Sequence, residues 1–289
     1  MQKQVAISGE TGFIGNYLTQ WLQERGYLVK AIPRYLLQGD PADLAILLEG
    51  SQVVIHLAGA PINKRWTPKN KALIYDSRIL TTRHVVEAMS QMEKPPGMFI
   101  CASGVNIYPD DGVFTEDDTR ISHGFLAEVC RDWELEALKA NAFARVLNFR
   151  LGVVLGRNGG ALPTMALPFK MGMGGWIGNG RQMLSWIHIE DLARAVDHAI
   201  GKKTLHGPVN ISSPHPVSNK DFSKALARAL HRPAIFPVPA FAVKWLLGEA
   251  ASLVTKGVTA LPGKLQRAGF QFRYPMVRDA FREIYSSGK

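Results

Sequence analysis

The sequence is poor in cysteine, has no long apolar run and carries no dense basic cluster. Each shortage removes a class of protein. Only Cys101 and Cys130 occur among 289 residues, and neither has a neighbour at metal-ligand spacing, so no metal site is expected. Two cysteines are also too few for a disulfide framework, and a reducing, cytoplasmic setting is the expectation. No stretch reaches the roughly 18–20 apolar residues of a membrane span. The nearest candidate, residues 239–254, is interrupted by Lys244 and Glu249. Gln2-Lys3-Gln4 leads straight into a short apolar run with no leader-like segment, so neither export nor a membrane partner is expected. No five or six basic residues adjoin, and arginines do not alternate with aromatics. A nucleic-acid partner is therefore not expected, despite a net charge of +10. Internal repeats and low-complexity linkers are missing as well.

What the chain does have is an uneven charge. Through Arg145 it carries 15 Lys and Arg against 17 Asp and Glu; from Val146 onward it carries 19 against 7. These halves, at −2 and +12, account for the +10. The basic surplus is either a solvated surface or a means of steering a small anionic substrate, phosphorylated or nucleotide-linked.

Apolar periodicity alternates between strand and helix. Val5-Ala6-Ile7, residues 27–32, residues 53–57, residues 98–102 and residues 145–149 read as buried strands. Residues 13–22, 43–48, the stretch after Pro68 to about Met92, and residues 125–140 read as helices between them. This alternation predicts an α/β, Rossmann-type doubly wound parallel sheet. Five glycines between Gly172 and Gly180 mark an irregular segment. Helices are then predicted over 188–200, starting around Glu190-Asp191, and over 220–230, 241–254 and 277–285, with a strand at 209–211. The organisation expected is a cofactor domain over 1–160, to which 186–212 returns, and a smaller, mostly helical substrate-side subdomain over 161–289.

The strongest local signal is Gly9-Glu10-Thr11-Gly12-Phe13-Ile14-Gly15, which follows the first strand and opens the first helix. Gly9 permits the tight turn, Gly12 a close approach to pyrophosphate, and Gly15 close helix–strand packing. The helix N-terminus then offers N–H groups and partial positive charge to phosphates. The second strand ends Ala31-Ile32-Pro33-Arg34-Tyr35 without the acid that would accept from ribose hydroxyls. Arg34 stands there instead, suited to a 2′-phosphate, which points to NADP(H).

The G-x-x-G-x-x-G spacing, with Thr11, Phe13 and Ile14 in it, resembles the extended branch of the short-chain dehydrogenase/reductase superfamily. So do His56-Leu57-Ala58-Gly59 after the third strand, Ser103 ending the fourth, and Trp186-Ile187-His188-Ile189-Glu190-Asp191 before a helix. Arg150-Leu151-Gly152-Val153-Val154-Leu155-Gly156, the glycine-rich 172–182 loop, Leu261-Pro262 and residues 268–275 narrow the resemblance to epimerase family proteins, which have a short C-terminal domain of their own. The resemblance implies NADP with Arg78 as a second cofactor contact, Leu57, Ala58 and Gly59 beside the ribose, and Ser103 and Val154 near the nicotinamide. It also implies a homodimer through the long helices.

That superfamily works through Ser or Thr with Tyr-x-x-x-Lys. Aligned on Glu134, this chain has Leu126 and Cys130 at the Tyr and Lys positions, leaving Ser103 as the candidate catalytic residue. The Tyr285–Lys289 pair has the spacing but sits at the chain end. Tyr108, His123 and Glu128 are other proton donors to consider. Asn106-Ile107-Tyr108-Pro109 and residues 256–260 depart from the group's usual pattern. Two functions fit: an NADP(H)-dependent oxidoreductase or epimerase-like enzyme on a small anionic substrate, and a catalytically inactive NADP(H)-binding sensor or interaction protein.

Overall fold

Six short apolar runs form one parallel sheet: β1 (Gln4–Ser8), β2 (Leu28–Ile32), β3 (Val53–His56), β4 (Met98–Gly104), β5 (Arg145–Leu151) and β6 (Gly207–Ile211). A computed structural model describes residues 3–234 and 237–286 of the chain. The strand order is β6-β5-β4-β3-β1-β2, with every neighbouring pair parallel. The helices are α1 (Phe13–Glu24), α2 (Pro41–Leu48), α3 (Pro68–Ser90), α4 (Phe125–Leu138), α5 (Leu162–Lys170), α6 (Ile189–Gly201), α7 (Asn219–Ala229), α8 (Ala240–Leu247) and α9 (Val277–Ser286).

Both faces of the sheet are covered, which is why its strands are apolar on both sides. Alternation along β1 shows the division. Val5 and Ile7 pack with Leu18 and Leu22 of α1 and with Leu192 and Val196 of α6, whereas Ala6 packs with Leu44 of α2 and Ile79 and Val85 of α3. A third cluster joins α5, α7 and α9 through Phe169, Phe222 and Phe281. Helix starts follow local chemistry. Asp40 caps α2 by accepting from the Ala42 N–H at 2.9 Å, and Thr67 caps α3 ahead of Pro68. His188 is the residue that caps α6, accepting from the Glu190 N–H at 3.2 Å, so Glu190 and Asp191 fall inside the first turn.

One expectation is corrected. The helix predicted over 241–254 stops at Leu247, because Gly248 turns to φ +60°; a 3₁₀ turn over Gly248–Ala251 and one short α-helical turn over Ser252–Thr255 replace its second half. Helix α5 was not anticipated; it carries Pro168, which breaks the sequence pattern, yet packs Leu162, Ala166 and Phe169 inward. Among the described residues no helix is long and apolar enough to cross a membrane, and no group of three or more His, Cys, Asp or Glu could hold a metal ion. The last three residues of the Tyr285–Lys289 motif lie outside the described residues.

Candidate functional site

The chain leaves β1 for β2 on one side and reaches β3 on the other, so the loop after β1 opens at the crevice where strand order reverses. Gly9 adopts φ +76°, and a Cβ there would lie 3.1 Å from the Ala58 nitrogen and the Leu57 carbonyl carbon. A Cβ on Gly15 would overlap the Gly9 carbonyl oxygen. These two positions therefore demand glycine for different reasons, one for backbone angle and one for space. Gly12 is the N-cap of α1 and supplies no side-chain cap, and no acid lies in the first turn. The first N–H groups of α1 thus keep their hydrogen-bonding capacity and the helix dipole for an anion.

A chain of hydrogen bonds fixes the loop after β3 beneath these glycines. The Leu57 and Ala58 N–H groups donate to Ser8 Oγ at 3.2 and 3.4 Å. Ser8 Oγ lies 2.7 Å from His56 Nδ1, and His56 Nε2 lies 3.2 Å from Thr81 Oγ1, which donates to the Ser77 carbonyl at 2.8 Å. With Thr81 donating onward, His56 Nε2 carries the proton and Nδ1 accepts from Ser8. Burial, aided by the Arg78 charge, holds the His56 imidazole down to about 3, so it is neutral.

Arg78 reaches across this loop from α3. Its Nη2 donates to the Ala60 carbonyl and its Nη1 to the Ile74 carbonyl, each at 3.0 Å, while the guanidinium lies 5.1 Å from the centre of the Trp133 ring. A Cβ on Gly59 would sit 3.0 Å from the guanidinium carbon. Half-buried, Arg78 forms none of the ion pairs found among the described residues, and burial lowers its pKa. Arg34 follows β2 on the other flank, two residues beyond Ile32, which is abreast of Ser8. It is exposed and likewise forms none of those ion pairs. Arg34 and Ser103 are therefore separated by three strand spacings, roughly 14 Å, along the carboxyl edge of the sheet.

The remaining predicted positions divide. Thr11 is exposed; Ile14 is half-buried against the core, and Val154 buries its side chain there. The Phe13 ring is enclosed by Gly156, Gly159 and Gly160, where added Cβ atoms would lie 2.7, 2.7 and 2.9 Å from it. A 510 Å³ cleft opens between the start of α1 and residues 156–159, reaching His188. Within it, buried His188 donates through Nε2 to Glu283 at 3.0 Å. A second cleft, of 640 Å³, lies between residues 177–182 and the segment from Ala240 to Lys256, with Lys244 and Lys256 on its wall.

Ser103 is buried and donates to Glu134 Oε1 at 2.8 Å. Glu134 also takes a bidentate pair from Arg150, Nε to Oε1 and Nη2 to Oε2, both 2.8 Å. Arg150 Nη1 donates to the Tyr108 hydroxyl at 2.7 Å, and that hydroxyl faces Asn210 Oδ1 and the Thr115 carbonyl at 3.0 Å. Tyr108 is thus held in a buried network. Burial opposes the Arg150 charge, but the Glu134 carboxylate holds its pKa above the ordinary guanidinium value. Leu126 is half-buried on α4, and Cys130 is buried one turn on, beside Gly104. Burial, with the Glu134 carboxylate adding to it, pushes the Cys130 thiol up to about 11, so it stays protonated near neutrality. His123 and Glu128 are exposed. Sequence reasoning missed the Ser8–His56–Thr81 chain and the Glu134–Arg150 pair. The signal for either was only that His56, Glu134 and Arg150 stood within recognisable motifs.

Comparison with known proteins places this geometry. Residues 5–212 match the model of the NAD dependent epimerase/dehydratase family, and residues 238–284 match a domain of unknown function (DUF1731). The chain is 38% identical to the epimerase family protein YfhF of Bacillus subtilis, covering 99% of each. It is also 38% identical to the chloroplastic epimerase family protein SDR39U1 homolog of Arabidopsis thaliana, covering 98% of this chain and 87% of that one. Human epimerase family protein SDR39U1 (isoform 2), whose crystal structure was determined with NADPH, superposes with a TM-score of 0.91 at 32% identity, over 98% of this chain and 99% of that one.

Proposed function

The chain belongs to the NAD dependent epimerase/dehydratase family, and we propose that it is an NADP(H)-dependent oxidoreductase or epimerase-like enzyme acting on a small anionic substrate. The observation that carries the cofactor assignment is Arg34: exposed, outside every ion pair among the described residues, and next to the glycine turn at a strand end that offers no acid. The human relative's structure with NADPH supports the same choice.

The residues present fit such a cofactor. The Gly9–Gly15 turn and uncapped α1 would hold the pyrophosphate, Arg34 the 2′-phosphate, Leu57, Ala58 and Gly59 the ribose, and Ser103 and Val154 the nicotinamide end, with Arg78 a second cofactor contact. When bound, the cofactor supplies or accepts a hydride. Residues 161–289, apart from 186–212, would form the substrate side, where Lys244 and Lys256 on the 640 Å³ cleft suit an anionic group. Leu126 and Cys130 cannot replace the superfamily's Tyr and Lys, so the proton for a reduced product would come from a donor other than that Tyr or from solvent.

Calorimetric titration with NADPH and NADH, repeated on Arg34→Ala, tests this reading. NADPH is expected to bind tighter, and the substitution should weaken it by about 1.5–3 kcal/mol, roughly 10- to 150-fold, toward the NADH level. Equal affinities, or no effect of the substitution, would overturn the NADP assignment. A second reading, an NADP(H)-binding protein without catalysis, is favoured by Ser103 donating to Glu134 and by the neutral Cys130 thiol. NADPH oxidation by any member of a carbonyl or sugar-nucleotide panel would dismiss it.

A further inference from the structure

Helix α8 has no buried residue, and it turns its largest apolar side chains outward. Phe241 is 76% exposed, Trp245 81% and Leu246 66%. Soluble surfaces seldom spend a Trp, a Phe and a Leu on one short helix without a partner. The segment nevertheless has defined anchors. Arg65 donates to the Trp245 carbonyl at 3.2 Å, and Lys71 pairs with Glu249 at 2.6 Å. Ile177 bridges Val238 just before the helix, which brings the glycine-rich segment bearing exposed Met171 and Met173 to the same region.

The charge around this apolar ridge has one sign left over. Its nearby carboxylates are engaged, Glu249 with Lys71 and Asp110 with Lys256. Lys244 on α8 itself, Lys64 and Arg65 on the loop clasping it, and Arg181 beside the 177–182 wall are all exposed and in none of the ion pairs among the described residues. Exposed aromatic and aliphatic side chains on α8, with Lys244 and with Lys64, Arg65 and Arg181 of neighbouring segments around them, combine apolar area and positive charge, the two attractions that hold a surface at the headgroup boundary of an anionic bilayer.

We propose that α8 docks the protein on an anionic lipid surface, with Phe241, Trp245 and Leu246 inserted at the headgroup level and Lys64, Arg65, Lys244 and Arg181 against the lipid phosphates. The expectation of no membrane partner rested on the lack of a spanning run and of a leader-like segment; a helix of eight residues lying on the surface escapes both tests. Docking this way also faces the mouth of the 640 Å³ cleft, which Ala240 and Lys244 line, toward the bilayer.

The test is co-sedimentation with vesicles of equal parts phosphatidylglycerol and phosphatidylcholine, against phosphatidylcholine alone. Binding is expected to the mixed vesicles, to weaken as salt rises, and to fall on the order of tenfold or more in Phe241→Ser/Trp245→Ser and in Lys244→Glu. Because these side chains are exposed, thermal unfolding of the variants should match the parent. With brominated lipid, tryptophan quenching should be present in the parent and lost in Trp245→Phe, which should still bind. Absence of binding to the mixed vesicles at low salt would overturn the proposal, as would binding indifferent to these substitutions. A dimer at sedimentation equilibrium that the double substitution dissolves would overturn it too, in favour of a contact between copies.

Discussion

His56 is fully buried, neutral, and held at both ring nitrogens, by Ser8 on one side and Thr81 on the other. Its role is positional, since Ser8 in turn receives the Leu57 and Ala58 N–H groups that underlie the Gly9 turn. A neutral buried imidazole has a consequence for stability. In the unfolded chain it takes a proton near pH 6.5, whereas in the folded chain burial delays this to about 3. Between those values the unfolded state binds the extra proton, so stability declines as pH falls from about 6.5, by up to ~1.4 kcal/mol per pH unit. His188, whose pKa burial also lowers against the opposing pull of Glu283, adds in the same direction. Urea midpoints should be level between pH 7 and 8 and drop steadily below pH 6.5. His56→Gln should lower the plateau but flatten the acid slope; an unchanged slope would place the sensitivity elsewhere.

At the scale of elements, the Glu134–Arg150 pair ties α4 to β5, and Ser103 adds β4. Both charges are about nine-tenths buried, so removing one strands the other in a low-dielectric interior. Glu134→Ala should cost about 3–5 kcal/mol in chemical denaturation, whereas Glu134→Leu with Arg150→Met should recover much of that loss. Additive losses in the double variant would mean that the wider network, through Tyr108 and Asn210, matters more than the pair. This tie also marks where sequence reading stopped. Strands β1 to β6 were legible because each is a short apolar run bounded by turn residues, and the glycine turn because its spacing sits between a strand and a helix. Glu134 and Arg150 are 16 residues apart on different elements, and no periodicity announces that they meet. Gly156 stood out only as the end of a motif and Gly159 and Gly160 not at all; that they enclose Phe13 depends on the packing of residues 156–160 over α1. The break at Gly248 was missed because the apolar pattern continues across it, while the backbone angle decides against helix.

For the whole molecule, the order of elements sets how cooperatively it unfolds. Strand β6 and helix α6 come from the second half of the chain yet complete the sheet and the core begun by the first half. Asp191 at the start of α6 accepts the Arg273 and Tyr274 N–H groups at 2.7 and 2.8 Å, and Asn210 of β6 donates to the Leu261 carbonyl at 2.9 Å. The C-terminal segment is thereby bonded to elements that themselves belong to the sheet. A fragment ending at residue 160 would leave β5 as an unpaired edge and uncover Leu147, Phe149 and the α1 face that meets α6, where Tyr27 donates to Asp197 at 2.8 Å. Such a fragment is expected to lack a cooperative unfolding transition by circular dichroism, and the full chain to unfold in a single one. NADPH at about a hundredfold over its Kd should then raise the stability of the entire unit by ~2.7 kcal/mol, a shift of roughly 5 °C. Two transitions, only the first moved by NADPH, would instead mean that the clasp through Asp191 and Asn210 is too weak to couple the C-terminal segment to the sheet.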